Sequence, residues 1–470
     1  MNYSNLIKII PLLAFLLSSG INIYSQSIQI EKSWEGILKI SDKDSLRIVL
    51  TLSYQNDSLV NAEFDSPDQY VFGIKTSSFK IQNDTLKVVS KQISAHYIAV
   101  MNESGSYEGI FTQRNSKKKL LLNPINERPT LNRPQEPKEP YDYIEKELVI
   151  KDNYGASLIK GTLTFPSKSL KGTVILISGS GWQDRDESIF GHKPFKVIAD
   201  FLTQAGYAVF RYDDRASALF AKSTTHDFVS DVQIIVNYFK NDPKHNSHKI
   251  GLIGHSEGGL VAFMAAAENP KIDFLISMAG CSEHFSKIIL HQAAIFAKAE
   301  GFTDQEVKET IEISAKIYKM LFKEDSSSIA AKKYKEIVDD YSKKMTPEQR
   351  KKYSLTEADV LSQIGTITSP WFMNLFKIEP EKYLKKIECP VYAINGEKDF
   401  QVNYATNLPI IEKYISKKSE KSKVESFPNL NHLFQECETG FLDEYGKIEQ
   451  TISPKVLNSI LLWMDLVCKP

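Results

Sequence analysis

Cysteine is scarce in this 470-residue chain: Cys281, Cys389, Cys437 and Cys468 lie far apart, and none falls in a C-x-x-C spacing. That argues against a zinc site and against a disulfide scaffold. The four read as buried thiols, with room for one disulfide after export. No charge of one sign is in excess, since 58 Lys+Arg face 58 Asp+Glu, so no nucleic acid or acidic surface is indicated as partner. Lysine runs such as Lys117-Lys118-Lys119 read as solvated faces. Long hydrophobic runs are missing too. The apolar stretch at residues 9–17, behind Lys8, is too short for a comfortable membrane span, and small and polar residues follow it up to Ser25. It reads as a secretory signal peptide over residues 1–25, cleaved before Gln26. The expectation is a secreted or periplasmic protein with no membrane span after signal removal. No cysteine near the cleavage point supports a lipid anchor.

What is present is ordinary globular composition, 42% hydrophobic and 25% charged, in a chain longer than one core usually supports. Over residues 26–123 apolar and polar residues alternate, as in Leu46-Arg47-Ile48-Val49-Leu50-Thr51-Leu52 and Tyr107-Glu108-Gly109-Ile110-Phe111. Turn chemistry at Gln55-Asn56-Asp57-Ser58 and Asn83-Asp84 separates the runs. This predicts antiparallel strands in a small all-β accessory domain. A carbohydrate-binding role for it would need aromatic side chains on one exposed face; Trp34, Tyr70 and Phe72 are too few to decide. Residues 124–140 hold Pro124, Pro129, Pro134, Pro137 and Pro140, which makes a stiff linker.

From 141 to 470 the pattern changes. Short apolar runs at 174–177, 207–210, 250–253, 274–276 and 391–394 alternate with helical stretches such as 195–204 and 228–240. The fold class is α/β, a mostly parallel sheet with helices on both faces. The long interval before 391 reads as a helical cap at about 284–372, with helix starts at Thr303 (Glu306 three later) and Thr346 (Pro347 next, Gln349 three later). Its first helix is expected to turn Val307, Ile311, Ala315, Tyr318 and Phe322 toward the sheet. The insertion either shapes a substrate pocket or is structural.

Gly254-His255-Ser256-Glu257-Gly258 fits G-x-S-x-G between a strand and an apolar helix. A nucleophile on so sharp a turn leaves no room for side chains two residues either side, so Gly254 and Gly258 suit it. A serine hydroxyl needs a base held by a carboxylate, and in sheets that use this turn the chain order is Ser, acid, His. Asp399, just past the strand at 391–394, is the acid, with Glu397 the alternative. His432 follows a last strand at 424–427 and is the one histidine after Asp399. The oxyanion is expected to meet the Glu257 N–H and the Ser180 N–H, or Gly181 in place of Ser180, from Ser178-Gly179-Ser180-Gly181. That loop lacks the spacing of a phosphate-binding loop. The charged segments Trp182-Gln183-Asp184-Arg185-Asp186 and Arg211-Tyr212-Asp213-Asp214-Arg215 read first as ion pairs that fix loops and second as substrate contacts. His255 reads as a supporting residue. No metal or organic cofactor is needed.

Taken in order, these segments, with Gly191-His192-Lys193-Pro194-Phe195, Asn395-Gly396-Glu397-Lys398-Asp399 and Leu430-Asn431-His432-Leu433-Phe434-Gln435, resemble the serine aminopeptidase-like branch of the α/β-hydrolase superfamily. The likeness is to secreted bacterial carboxylesterases with an N-terminal β-domain. Trp34-Glu35-Gly36 and Ser66-Pro67-Asp68-Gln69 extend it into the first domain. It implies Ser256, Asp399 and His432 as a triad, and a small-molecule ester with a short acyl chain as substrate. Ala216 stands where similar proteins tend to have glycine, which bears on the shape of that loop. The fold also hosts peptidases, so an aminopeptidase, with Glu257 or a cap residue gripping a free amino terminus, stays open beside the esterase. A non-catalytic envelope binding protein is the rival from outside enzymology. Nothing in the sequence fixes the oligomeric state.

Overall fold

In a computed structural model of the chain the described residues are 30–41, 44–113, 116–151 and 158–469. The expected signal peptide lies outside them. Two compact units form: one holds the described residues up to Pro134 with Ile189–His192, the other Gln135–Ser188 and Lys193 onward. No helix among the described residues is long and apolar enough to cross a membrane.

The first unit is one antiparallel sheet of β1 Ile30–Lys39, β2 Ser45–Gln55, β3 Ser58–Ser66, β4 Val71–Lys75, β5 Ser78–Gln82, β6 Thr85–Ser90, β7 Ala95–Met101, β8 Tyr107–Gln113 and β9 Ser116–Ile125. Its order is β4-β3-β2-β1-β9-β8-β7-β6-β5. Asn56, Asp57, Asn83 and Asp84 all sit at φ between 47° and 59°, closing two-residue hairpins at Gln55↔Ser58 and Gln82↔Thr85. Two consecutive left-handed residues match the strand twist, and Asn and Asp tolerate that region. Alternate residues then fill one core with Trp34, Leu50, Phe64, Leu86, Tyr97 and Leu122. The Trp34 ring N–H donates to the Gly105 carbonyl at 2.8 Å, so its burial leaves no polar atom unpaired. Buried in this core, Trp34 is absent from any exposed aromatic face. β9 runs to Ile125, two residues into the expected linker. Beyond Leu122 it pairs with β1 alone, with Pro124 opposite Trp34, and a strand paired on one side tolerates a residue without an N–H.

The second unit holds an eight-stranded sheet of β10 Tyr143–Lys151, β11 Leu158–Pro166, β12 Gly172–Ile177, β13 Tyr207–Tyr212, β14 Lys249–His255, β15 Phe274–Met278, β16 Val391–Gly396 and β17 Lys423–Phe427. The order is β10-β11-β13-β12-β14-β15-β16-β17, with the β10–β11 and β11–β13 pairs antiparallel and the other pairs parallel. Side chains alternate between two cores. Ile175 and Ile177 pack on one face with Val232, Phe239 and Phe263 of the helices Thr225–Asn241 and Glu257–Glu268; Val174 and Leu176 pack on the other with Ile198, Ile460 and Trp463. Each such fully buried aliphatic contributes about 1.5–3 kcal/mol, which is why the parallel strands read as unbroken apolar runs. β13 and β14 flank β12 on opposite sides, so the loops leaving β12 and β14 open a crevice at the carboxyl ends of the strands.

Seven helices between Phe285 and Leu384 fill the interval from β15 to β16. The expected starts hold: Thr303 with Glu306 and Thr346 with Gln349 form reciprocal capping boxes. The expected face of the helix Asp304–Lys323 needs correction. Val307, Thr310, Ser314, Ile317 and Leu321 are buried with Tyr318, Ile311 and Ala315 are half-buried, and Phe322 is 47% exposed. Small polar residues carry part of the stripe, and they are invisible to a count of apolar positions.

Candidate active site

Ser256 follows β14 and caps the helix Glu257–Glu268 at φ 56° and ψ −120°, a conformation L side chains rarely adopt, here bridging a strand to a helix. A Cβ on Gly254 would come within 2.1 Å of the Gly258 carbonyl oxygen, and one on Gly258 within 2.2 Å of the Ile177 carbonyl oxygen. Both obstacles are backbone and cannot yield. Gly258→Ala is expected to destabilise the fold by about 1–3 kcal/mol and to lower turnover at least about tenfold, because the shift needed falls on the turn that carries Ser256, the candidate nucleophile. Thermal unfolding and steady-state kinetics check both effects.

The loop after β12 runs alongside the serine: a Cβ on Gly179 would lie 3.1 Å from the Ser256 Cβ. The Gly179 N–H is committed to the Glu187 carboxylate at 2.7 Å. It is therefore unavailable to substrate, and Ser180 and Gly181 are left as donors on this loop. The Glu257 N–H is the first amide of the helix, among those left without an intrahelical partner.

Asp399 follows β16, its N–H donating to Gly396 O at 3.2 Å. Its side chain is fully buried, and its Oδ2 meets His432 Nδ1 at 2.7 Å. Oδ1 accepts the N–H groups of Gln401 at 2.8 Å and Val402 at 2.9 Å, which fixes the plane of the carboxylate. Glu397 is exposed and accepts from the Ser426 hydroxyl at 2.8 Å, away from His432. His432 lies on the loop after β17 and is itself buried. Its ring packs 4.7 Å from that of His255, the residue before Ser256. Among the described residues no hydrogen bond joins Ser256 Oγ to His432; such contacts are often long until substrate is bound.

Three supporting residues went unread in the sequence. Asn431 Oδ1 accepts the N–H groups of Leu433 and Gln435, each at 3.0 Å, and its amide donates to Gln435 Oε1 at 2.9 Å. Asn431 and Gln435 thus lock the histidine loop from within. The third, Glu187, holds both Gly179 and the His255 ring. In the sequence Asn431 and Gln435 stood out only as members of Leu430-Asn431-His432-Leu433-Phe434-Gln435, and Glu187 only as the residue after Asp186.

The charged segments fix loops. Arg185 grips Asp213 bidentately at 2.6 and 3.0 Å and reaches Glu147; Arg211 pairs with Glu145 and Asp186; Arg215 pairs with Asp231 and Asp227. Asp214 accepts the Gln183 N–H at 2.7 Å, and burial holds its carboxyl well above the usual range. Ala216 adopts φ −49°, ψ 139° before a short helical turn, where no glycine is required.

Glu257 turns its carboxylate inward, accepting from the Trp371 ring N–H at 2.9 Å and from the Thr225 hydroxyl at 2.9 Å. Burial raises its pKa, and these two donors oppose the rise. A small pocket reaches Ser180 and Glu257 and is walled by Leu260, Phe285, Leu375 and Ile378. Cys281 also lines it, its thiol pushed up by burial. The four cysteines are free thiols. Among the described residues no group of three His, Cys, Asp or Glu side chains is placed to hold a metal ion. A separate depression on the outer face of the first unit is lined by Ile37, Val100, Ile110 and Leu121 with Lys39 and Lys119, and no candidate catalytic side chain lines it.

Esterase EstD of Thermotoga maritima is 25% identical over 394 residues, 83% of this chain and 80% of the relative. Among solved structures, Est1E from Butyrivibrio proteoclasticus aligns at 15% identity with a TM-score of 0.38, over 68% of this chain and 98% of that one. An esterase of Pyrococcus furiosus aligns at 15% identity with a TM-score of 0.40, over 69% and 91%. The family described as serine aminopeptidase, S33, matches residues 192–438, more than half of the chain and a span that contains Ser256, Asp399 and His432. The chain belongs to the serine aminopeptidase S33 family and is an α/β-hydrolase with an N-terminal β-domain.

Proposed function

We propose that this protein is an exported carboxylesterase that cleaves esters of short acyl chains through Ser256, His432 and Asp399. The observation that carries the reading is the buried 2.7 Å bond between His432 Nδ1 and Asp399 Oδ2, beside a serine on a strained strand-to-helix turn. With Nδ1–H given to Asp399, His432 presents a bare Nε2 as base. It takes the Ser256 proton as Oγ bonds to the ester carbonyl carbon. The resulting oxyanion is held by the N–H groups of Ser180 and Glu257. The alcohol leaves with the proton from His432, and water, deprotonated by the same nitrogen, then releases the acid.

The narrow apolar walls of the pocket at Ser180 support a short acyl group, and the helical insertion supplies Phe285, Leu375 and Ile378 to them. An aminopeptidase reading asks a free carboxylate to grip an ammonium. Glu257 is already occupied by two donors, with its pKa raised by burial, and Glu283, the other carboxylate lining the pocket, accepts from the Thr406 hydroxyl at 2.6 Å, which favours the ester. Hydrolysis of p-nitrophenyl esters of increasing acyl length by the mature protein tests the proposal, with its mass read first for a start at Gln26. Turnover is expected to be highest for the short acyl groups and to fall as the chain lengthens. Inactivity on the whole series, with cleavage of aminoacyl p-nitroanilides instead, would replace the esterase by a peptidase.

A further inference from the structure

His255 has both ring nitrogens against groups that can only accept. Nδ1 lies 2.9 Å from a carboxylate oxygen of Glu187, and Nε2 lies 3.0 Å from the main-chain carbonyl oxygen of His432. A neutral imidazole has a single N–H and can satisfy one of these. His284 is the contrast within the same chain. There Nδ1 receives the Ser286 N–H while Nε2 donates to Phe376 O at 3.0 Å, so one proton suffices, and burial lowers its pKa.

We propose that His255 is a standing imidazolium, paired with the Glu187 carboxylate, and that the two are positioning residues for the chemistry at Ser256. One Glu187 oxygen accepts both from His255 and from the Gly179 N–H of the loop beside the serine. The other ring N–H of His255 holds the backbone of His432. A single buried pair thereby ties the proposed oxyanion loop, the residue before the nucleophile and the main chain of the base to one another. Glu187 is 3% exposed and His255 6%, so water does not replace either partner. The groups facing the His255 ring are Glu187, the His432 ring and backbone, and the more distant Asp399. Burial works against the charge on His255, yet the charge and hydrogen bond of Glu187, with the His432 carbonyl, outweigh it and raise its pKa.

The positioning role rests on the reading of His432 as base, whereas the protonation state does not. The experiment therefore has two readouts on the full mature chain. In protein labelled with ¹⁵N-histidine, His255, assigned by the signals lost in His255→Gln, is expected to show both ring nitrogens protonated at about pH 7.5, one unit above the ordinary histidine value. Glu187→Gln is expected to leave it with one bare nitrogen. The same variant is expected to lose about a hundredfold in kcat, with KM changed less than about threefold, because the base and the oxyanion loop shift while the pocket walls stay. A wild-type His255 with one bare nitrogen overturns the proposal without touching the esterase reading. So does a Glu187→Gln enzyme with wild-type kcat. If the wild type cleaves no ester, the esterase reading falls, and the ring-nitrogen signals alone decide whether the charged pair exists; they also decide it if Glu187→Gln does not fold.

Discussion

Ser256→Ala is expected to lower the turnover of a short-chain p-nitrophenyl ester by about 10⁴- to 10⁶-fold, with KM little changed. The substitution removes one atom, Oγ, and keeps the Cβ that packs against Gly179. Alanine meets the same backbone strain at φ 56° as serine, so melting temperature should stay close to wild type. What is lost is the covalent path. Residual catalysis from the oxyanion donors and from binding persists, as expected when one member of a group acting as a unit is removed. Steady-state kinetics beside a thermal melt separates loss of chemistry from loss of fold.

Asp399→Asn is expected to cost about 10⁴-fold in kcat while leaving the loop in place. Asp399 Oδ1 faces two N–H donors, from Gln401 and Val402, and Oδ2 faces His432 Nδ1. An asparagine keeps its carbonyl oxygen toward the two amides, since the reverse orientation would set its NH₂ against two donors. The NH₂ then points at His432 Nδ1, which must give up its proton and accept. The proton moves to Nε2, the nitrogen that has to be bare to take the Ser256 proton. Stopped-flow or steady-state rates of Asp399→Asn and wild type across neutral pH check this; equal rates would remove Asp399 from the acid role.

Much of this was legible because the deciding features are local. A glycine two residues either side of Ser256, an apolar strand before it and an apolar helix after it define the turn without any distant contact. Asp399 and His432 each follow a strand, so chain order and strand ends located them. The choice between Asp399 and Glu397 was not local. It depends on which carboxylate the loop of Gln401 and Val402 encloses, and only the fold brings those amides round. Glu187 lies 68 residues before His255 with no periodic pattern around it. Its importance comes from a meeting of three loops that sequence spacing does not encode. β10 and β11 were missed for a related reason: Glu145, Lys146 and Glu147 break the apolar run, and two of them serve the ion pairs of Arg211 and Arg185. Phe322 was assigned inward on apolar character and helical spacing, whereas Thr310 and Ser314, which a search for apolar positions passes over, take buried positions.

The most direct test of the central claim, that Ser256 is the nucleophile of a serine hydrolase, is incubation of the mature protein with a fluorophosphonate followed by peptide mass mapping. The account predicts one stoichiometric adduct, carried by the peptide that contains Ser256 and absent from Ser256→Ala. A wild-type protein that hydrolyses esters yet takes up no adduct, or carries it on another residue, would contradict it.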